Sequence, residues 1–256
     1  MGRFEDKVVV ITGAAGGIGS EAAKQFAQEG AKLVLVDLKE DQLQDTVEKL
    51  DLKEGDYLLV PADVSNQEAV QNYVNRSVDT FGKIDVFFNN AGVGGAIVPT
   101  ADYPVDAFDT VINVNLRGAF LGLKYVLQVM EKQGYGSIIN TSSIGGLKAM
   151  PNTAAYNASK FAIVGLTGTA AIEYASKNIR INAVGPSPAN TQMMRKTEAR
   201  TNSENPEEAR KLFAESIPLG RYAETSDVVN AVLFLASEES SFITGVTLPV
   251  DGGMSA

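Results

Sequence analysis

Tyr156 and Lys160 lie four residues apart in "YNASK", just ahead of a long apolar run. On a helix this spacing puts both side chains on one face. Unperturbed, a phenol titrates near ~10 and a lysine ammonium near ~10.4. A neighbouring ammonium favours the phenolate, so Lys160 is expected to lower the Tyr156 pKa. Such a pair can act as general acid and base without histidine. That matters because the 256-residue chain contains no His and no Cys. Ser-His-Asp chemistry, thiol chemistry and the usual zinc ligands are excluded, and no metal site is expected. A hydroxyl beside the pair would hold a carbonyl oxygen, and "NTSS" (140–143) offers candidates. Taken alone, a Tyr and a Lys at this spacing also describe an ordinary surface pair.

The elements that must position these residues are legible as an alternation. Apolar, β-branched runs at 7–12, 32–37, 57–63, 84–90, 137–143, 179–185 and 245–251 predict seven strands. Most are apolar on both faces, as parallel strands covered on both sides must be. Helical patterns fill 17–29, 40–50, 66–81, 105–133, 154–175 and 225–236, with Gly30, Gly55, Gly82 and Gly134 near their C-terminal ends. The expected fold is α/β: a single-domain, Rossmann-type, doubly wound, seven-stranded parallel sheet with helices on both faces. No linker or repeat divides residues 1–256. The segment 186–218 is long, polar in its middle and weakly periodic, and it follows a strand's C-terminal end, where such folds bind ligands. A substrate lid is expected at about 188–216.

"VVVITGAAGGIG" places Gly13, Gly17 and Gly19 between the first strand and the first helix. Gly13 allows the tight turn, and Gly17 and Gly19 allow close approach to a pyrophosphate and to the helix. The helix N-terminus adds amide donors and a positive dipole. Glycines also merely punctuate turns, so the loop needs a second mark. Asp37, ending "KLVLVD", is that mark. Its carboxylate can accept both ribose hydroxyls of NAD and would repel the 2′-phosphate of NADP. Residue 38 is Leu, and no basic residue lies in "GAAGGIG". NAD(H) is therefore expected over NADP(H).

The set T-G-x-x-x-G-I-G (12–19), N-N-A-G (89–92), Ser143 with Tyr156 and Lys160, and D-G-G (251–253) resembles the short-chain dehydrogenase/reductase family over essentially the whole chain. The resemblance implies Tyr156 as proton donor or acceptor at the substrate oxygen. It implies Lys160 as the group that lowers the Tyr156 pKa and binds the nicotinamide ribose. Ser143, rather than Ser142, would orient the carbonyl. Asn115 would support a proton-relay water, with Asn113 facing elsewhere. It implies a cofactor site that also includes Ile18, Leu38, Asp63, Val64, Asn90, Ala91, Gly92, Pro186, Ala189 and Thr191. One departure stands out. Ser187 occupies a position where the family usually has Gly, and a residue held there at φ > 0 would be strained.

The walls "VGGAIVP" (93–99) and "IGGLKAMP" (144–151), with Met193 and Met194, are mostly apolar. They favour a neutral secondary alcohol or ketone, with cyclic ketones among the candidates; the chain also resembles the family's cyclic-ketone reductases. An acyl-carrier-protein ketoreductase remains an alternative, against which Asp37 and the net charge of -9 argue. A sugar-nucleotide epimerase would generally carry a larger C-terminal substrate domain. A non-enzymatic NAD-sensing module would not need the Ser143, Tyr156 and Lys160 set. The acidic balance argues against nucleic acid and anionic membrane as partners. No run approaches the ~18 apolar residues of a membrane span, and the N-terminal apolar run is short and broken by glycines, so a cytoplasmic protein is expected. Helix 154–175 is apolar or small nearly all round, so both its sides are expected to be covered. The resemblance implies a homotetramer through that helix and 105–133.

Overall fold

The computed structural model of the chain describes residues 2–50 and 52–256. Its sheet is seven-stranded and parallel, in the order β3-β2-β1-β4-β5-β6-β7. The strands are β1 (Val8–Thr12), β2 (Lys32–Asp37), β3 (Tyr57–Pro61), β4 (Val86–Asn89), β5 (Gly136–Thr141), β6 (Ile179–Pro186) and β7 (Thr247–Val250). The order reverses beside β1, so the C-terminal ends of β1 and β4 border the crevice where doubly wound folds bind ligands.

Alternate strand residues feed two cores, because successive side chains point to opposite faces. Val9, Ile11, Leu33, Leu35, Phe88 and Val184 pack on one side, under α1 (Gly17–Gln28), α2 (Glu40–Val47) and α9 (Thr225–Ala236). Val10, Val34, Phe87, Ile138 and Ile181 pack on the other. Covering that side are α3 (Gln67–Phe81), α5 (Gly118–Gln133) and α6 (Ala154–Tyr174). Burying each large aliphatic or aromatic side chain contributes about 1.5–3 kcal/mol.

One polar thread crosses the second core. Asn89 on β4 donates to Asn140 Oδ1 on β5 at 3.0 Å and to the Ala119 carbonyl at 2.9 Å. Asn140 donates to Thr167 Oγ1 on α6 at 3.0 Å, and Thr167 donates to the Ile163 carbonyl. Every donor in the thread meets an acceptor, which is the condition for a buried polar group to be tolerated.

Three sequence expectations change. The stretch read as one helix over 105–133 is α4 (Val105–Val111), a π-helical segment Ile112–Arg117 and then α5. The helix expected over 40–50 ends at Val47, and Gly55 belongs to the turn before β3 rather than to a helix end. The weakly periodic segment 186–218 contains α7 (Gln192–Thr201) and α8 (Pro206–Glu215). Thr191 and Asn205 cap them, their side chains accepting from the Met194 and Glu208 amides. The sheet covers only one side of α6. Its other side leaves Phe161 and Ile172 exposed, with open space beside Gly165 and Gly168. Among the described residues, no helix is long and apolar enough to cross a membrane.

Candidate active site

The site is assembled at the C-terminal ends of β1, β4, β5 and β6. β5 ends at Thr141, and alternation separates the two serines that follow. Ser142 is buried and donates to the Lys160 carbonyl at 3.0 Å, tying β5 to α6. Ser143 caps the short helical turn at Ile144–Gly146 by accepting from the Gly145 amide at 3.1 Å. Its hydroxyl also faces the Tyr156 phenol closely enough to oppose the rise in that group's pKa. The 13-residue spacing thus identifies the serine that meets the tyrosine, and Ser142 has a structural task.

Tyr156 and Lys160 share a face of α6, as the spacing requires. Lys160 is 4% exposed, and its Nζ donates to the Thr141 carbonyl at 2.7 Å. Nζ lies 5.7 Å from the centroid of the Tyr156 ring. Burial pulls the Lys160 pKa down to about 8, since desolvation disfavours the ammonium. The expected lowering of the Tyr156 pKa is corrected. Desolvation raises it, and the nearby Ser143 hydroxyl only opposes that rise. An ammonium at i+4 favours the phenolate, but the cost of desolvating that phenolate works the other way and prevails. With these groups Tyr156 holds its proton at neutral pH.

Asn115 sits in the π-helical segment, fully buried, while Asn113 is exposed. Its Oδ1 accepts from the Val93 amide at 2.7 Å, and its Nδ2 donates to the Val93 carbonyl at 2.9 Å and to Ser159 Oγ at 3.2 Å. Asn115 therefore fixes the 93–99 wall against α6. Single-turn π segments recur at functional sites. A Cβ added to Gly92 would stand 3.2 Å from Asn115 Oδ1 and 3.6 Å from Lys160 Nζ, so these groups converge on one small space.

The glycine loop forms the opposite side. Gly13 has φ +66°, which a side chain would strain. A Cβ on Gly19 would overlap the Gly13 carbonyl oxygen, and one on Gly17 would meet Thr191 Cγ2 at 3.0 Å. The N-cap of α1 is Gly16, and no side chain caps that helix. Its first-turn amides are available to an anion. Thr12 Oγ1 accepts from the Asn90 and Ala91 amides, while Asn90 Nδ2 donates back to the Thr12 carbonyl. Asp37 Oδ2 accepts from the Ala15 amide at 2.9 Å and Oδ1 from the Leu38 amide at 2.8 Å. Asp63 Oδ1 accepts from Ser65, and Val64 packs where Gly118 leaves room. Leu38 is exposed at the mouth. A side-chain-free loop, an uncapped helix start and a carboxylate at the end of β2 have the chemistry that a dinucleotide needs.

Pro186 ends β6, and Ser187 follows. Ser187 is not among the residues with positive φ, and its amide donates to the Val250 carbonyl at 3.1 Å. The anticipated strain is absent, because the backbone here does not require glycine. Ala189 bridges to Ala223, and Thr191 touches Gly17 while capping α7. Among the sequence-derived positions, Asn115 and Lys160 converge beside Gly92, Gly17 faces Thr191, and Gly13 faces Asn90 and Ala91. Three participants were missed. The Thr141 carbonyl holds Lys160, and a backbone acceptor leaves no sequence signal. Ser159 meets Asn115, and its place between Tyr156 and Lys160 was the available hint. Arg200 of α7 donates from Nη1 to the Gly95 carbonyl at 2.6 Å. It brings a cation to walls that read as neutral.

A parallel α/β sheet with these groups at its switch point defines a nucleotide-dependent oxidoreductase architecture. The family described as Enoyl-(Acyl carrier protein) reductase matches residues 13–255. Levodione reductase from Leifsonia aquatica is 40% identical over 256 residues, covering 99% of this chain and 96% of that protein. The 3-oxoacyl-[acyl-carrier-protein] reductase FabG of Thermotoga maritima is 39% identical, covering 98% and 99%. Trans-4-hydroxycyclohexanecarboxylate dehydrogenase of Sinomonas cyclohexanicum is 39% identical, covering 99% and 95%. Among solved structures, levodione reductase superposes with a TM-score of 0.96 at 40% identity, covering 98% of each chain. NAD+-bound xylitol dehydrogenase gives 0.91 at 39% identity, covering 98% and 99%. The chain belongs to the short-chain dehydrogenase/reductase family of oxidoreductases, which bind nicotinamide cofactors.

Proposed function

We propose that this protein is an NAD(H)-dependent oxidoreductase that interconverts a neutral secondary alcohol and a ketone. The observation that carries the reading is the junction of buried Ser143 and Lys160 with partly buried Tyr156 beside Gly92. The nicotinamide ring, when bound, supplies or accepts the hydride. Tyr156, whose phenol keeps its proton, donates it to the ketone oxygen as charge develops there, and recovers it in the reverse direction. Ser143 donates a hydrogen bond to the same oxygen. Lys160 is held by Thr141 with its remaining donors free for a ribose hydroxyl. Asn115 fixes Val93 and the adjoining wall. Gly13, Gly17, Ile18 and Gly19 hold the diphosphate; Asp37 and Leu38 border the adenosine ribose, and Asp63 and Val64 the adenine. Asn90, Ala91, Gly92, Pro186, Ala189 and Thr191 line the nicotinamide half.

The segment 188–216 acts as the substrate lid. Apolar walls, together with a relative whose name describes a cyclohexane ring, support a cyclic substrate. Exposed Phe120 on α5 and Phe161 on α6 support a homotetramer through those helices. The test is oxidation of NADH and of NADPH with cyclic diketones, aliphatic ketones and an acetoacetyl thioester. Turnover of NADH with a cyclic ketone is the expected result. Preferred turnover of the thioester would favour the acyl-carrier reading that the FabG relative supports, and tight NADH binding without turnover would favour a sensor.

A further inference from the structure

Segment 188–216 is anchored at both its roots and bonded across the site by one exposed side chain. At its start, the Ser187 amide donates to the Val250 carbonyl; at its end, the Leu219 amide donates to the Gly252 carbonyl at 3.2 Å. The strand β7 and its D-G-G turn therefore grip both ends. Inside, Glu198 is 2% exposed and accepts from Tyr222 Oη at 2.9 Å and from Arg195 at 2.8 Å. Arg195 also donates to Asn190 Oδ1 at 2.8 Å, beside Thr191. Truncating one partner of so buried a set is costly, so this side of α7 does not open readily.

Across the site the situation differs. Among the described residues, the hydrogen bond from Arg200 Nη1 to the Gly95 carbonyl is the one side-chain bond joining the lid to the 93–99 wall. The acceptor is a fixed post. Gly95 has φ +78°, and the next amide, Ala96, donates to Tyr103 Oη at 3.0 Å. Asn115 holds the other end of the same wall through Val93. Arg200 itself is exposed, so its bond forms and breaks at little cost. A charged donor on a neutral carbonyl is nevertheless stronger than a neutral pair.

We propose that Arg200 is a positioning residue that clasps α7 to the 93–99 wall and thereby sets how tightly the ketone is held, a role that rests on the substrate site lying between them. Nicotinamide binding is insulated from it, because Asn190 and Thr191 are held by Arg195, Glu198 and Ala223 instead.

The experiment compares wild type with Arg200→Ala and Arg200→Lys. Arg200→Ala should raise the ketone KM roughly fivefold with kcat nearly constant, while the Kd for NADH stays within about twofold. Arg200→Lys keeps one donor on a flexible stem and should recover most of the KM. Hydrogen exchange without substrate supplies the second readout. Amides of Gln192–Thr201 should exchange faster in Arg200→Ala, and those of β5 and α6 should not. Unchanged exchange in α7 overturns the proposal, as does an NADH Kd that moves in step with KM. If the wild type reduces no ketone, the proposed reaction fails, and exchange alone then decides the clasp.

Discussion

Replacing Asp37 by Asn isolates a single charge in the nucleotide site. Both carboxylate oxygens are engaged, by the Ala15 and Leu38 amides at 2.9 and 2.8 Å, so the group cannot swing away from a bulky ligand. Two unit charges ~4 Å apart interact by about 4 kcal/mol at an effective dielectric near 20. Asp37 is only half-buried, and solvent with added salt reduces this to roughly 2 kcal/mol, or about 30-fold in affinity. Asp37→Asn keeps the shape and one acceptor oxygen, and it loses one of the two backbone amide bonds, a cost that falls on both nucleotides and cancels in their ratio. NADPH affinity should therefore improve about 30-fold, while NADH weakens by less than about tenfold for the loss of a charge-assisted hydrogen bond. Both Kd values follow from nucleotide fluorescence on titration with protein, at fixed ionic strength. An NADPH-to-NADH ratio within about twofold of wild type would refute the reasoning and move selectivity to another group.

Tyr156→Phe should bind NADH as wild type does and lose at least ~100-fold in kcat; retained turnover would show that another group moves the proton. Lys160 titrates at about 8 in the fold against 10.5 in its ordinary state. Below pH 8 both forms of the chain carry this proton and the fold bears the full burial cost. Between 8 and 10.5 the unfolded chain binds more protons, so stability rises with pH there, on the order of 3 kcal/mol in all. Denaturant midpoints without added nucleotide should climb from pH 8 to 10 in wild type, and Lys160→Met should flatten that climb. Ser187→Gly should relieve nothing, since Ser187 is not at positive φ. It should lose up to about 1 kcal/mol in thermal unfolding, and a gain in stability or NADH affinity would reveal hidden strain. Gly19→Ala would drive a Cβ into the Gly13 carbonyl, and should cost about 1–3 kcal/mol or abolish nucleotide binding, read by the same titration.

The sheet was legible because its signals are local. Runs such as "KVVVIT" are apolar on both faces and bounded by glycine or a charge, and their predicted limits match β1 to β7 within a residue or two. The nucleotide loop and the Tyr156–Lys160 pair were legible for the same reason, as fixed spacings within one turn or one helix. What escaped depends on contacts between distant segments. The π-helical turn at Ile112–Arg117 has an unremarkable local sequence, and the paired bonds of Asn115 to Val93 accompany it. α7 is polar in composition, yet Glu198 is buried because Tyr222 and Arg195 meet it there. The direction of the Tyr156 pKa was misjudged because burial belongs to the fold and cannot be read from an i, i+4 spacing.

The thread running from Asn89 through Asn140 to Thr167 bears on how the chain finds its own register. Parallel strands lined with Val, Ile and Phe are chemically monotonous, and a slip would still bury comparable oil. A displaced β4 or β5 would instead strand two carboxamides and a hydroxyl in the core, each costing about 1–3 kcal/mol. The thread thus works as a key among similar grooves, penalising misaligned pairings more than it rewards the correct one. Because Thr167 belongs to the helix that carries Tyr156 and Lys160, and Asn140 to the strand that leads to Ser143, the same key that aligns the sheet also brings these three side chains into phase.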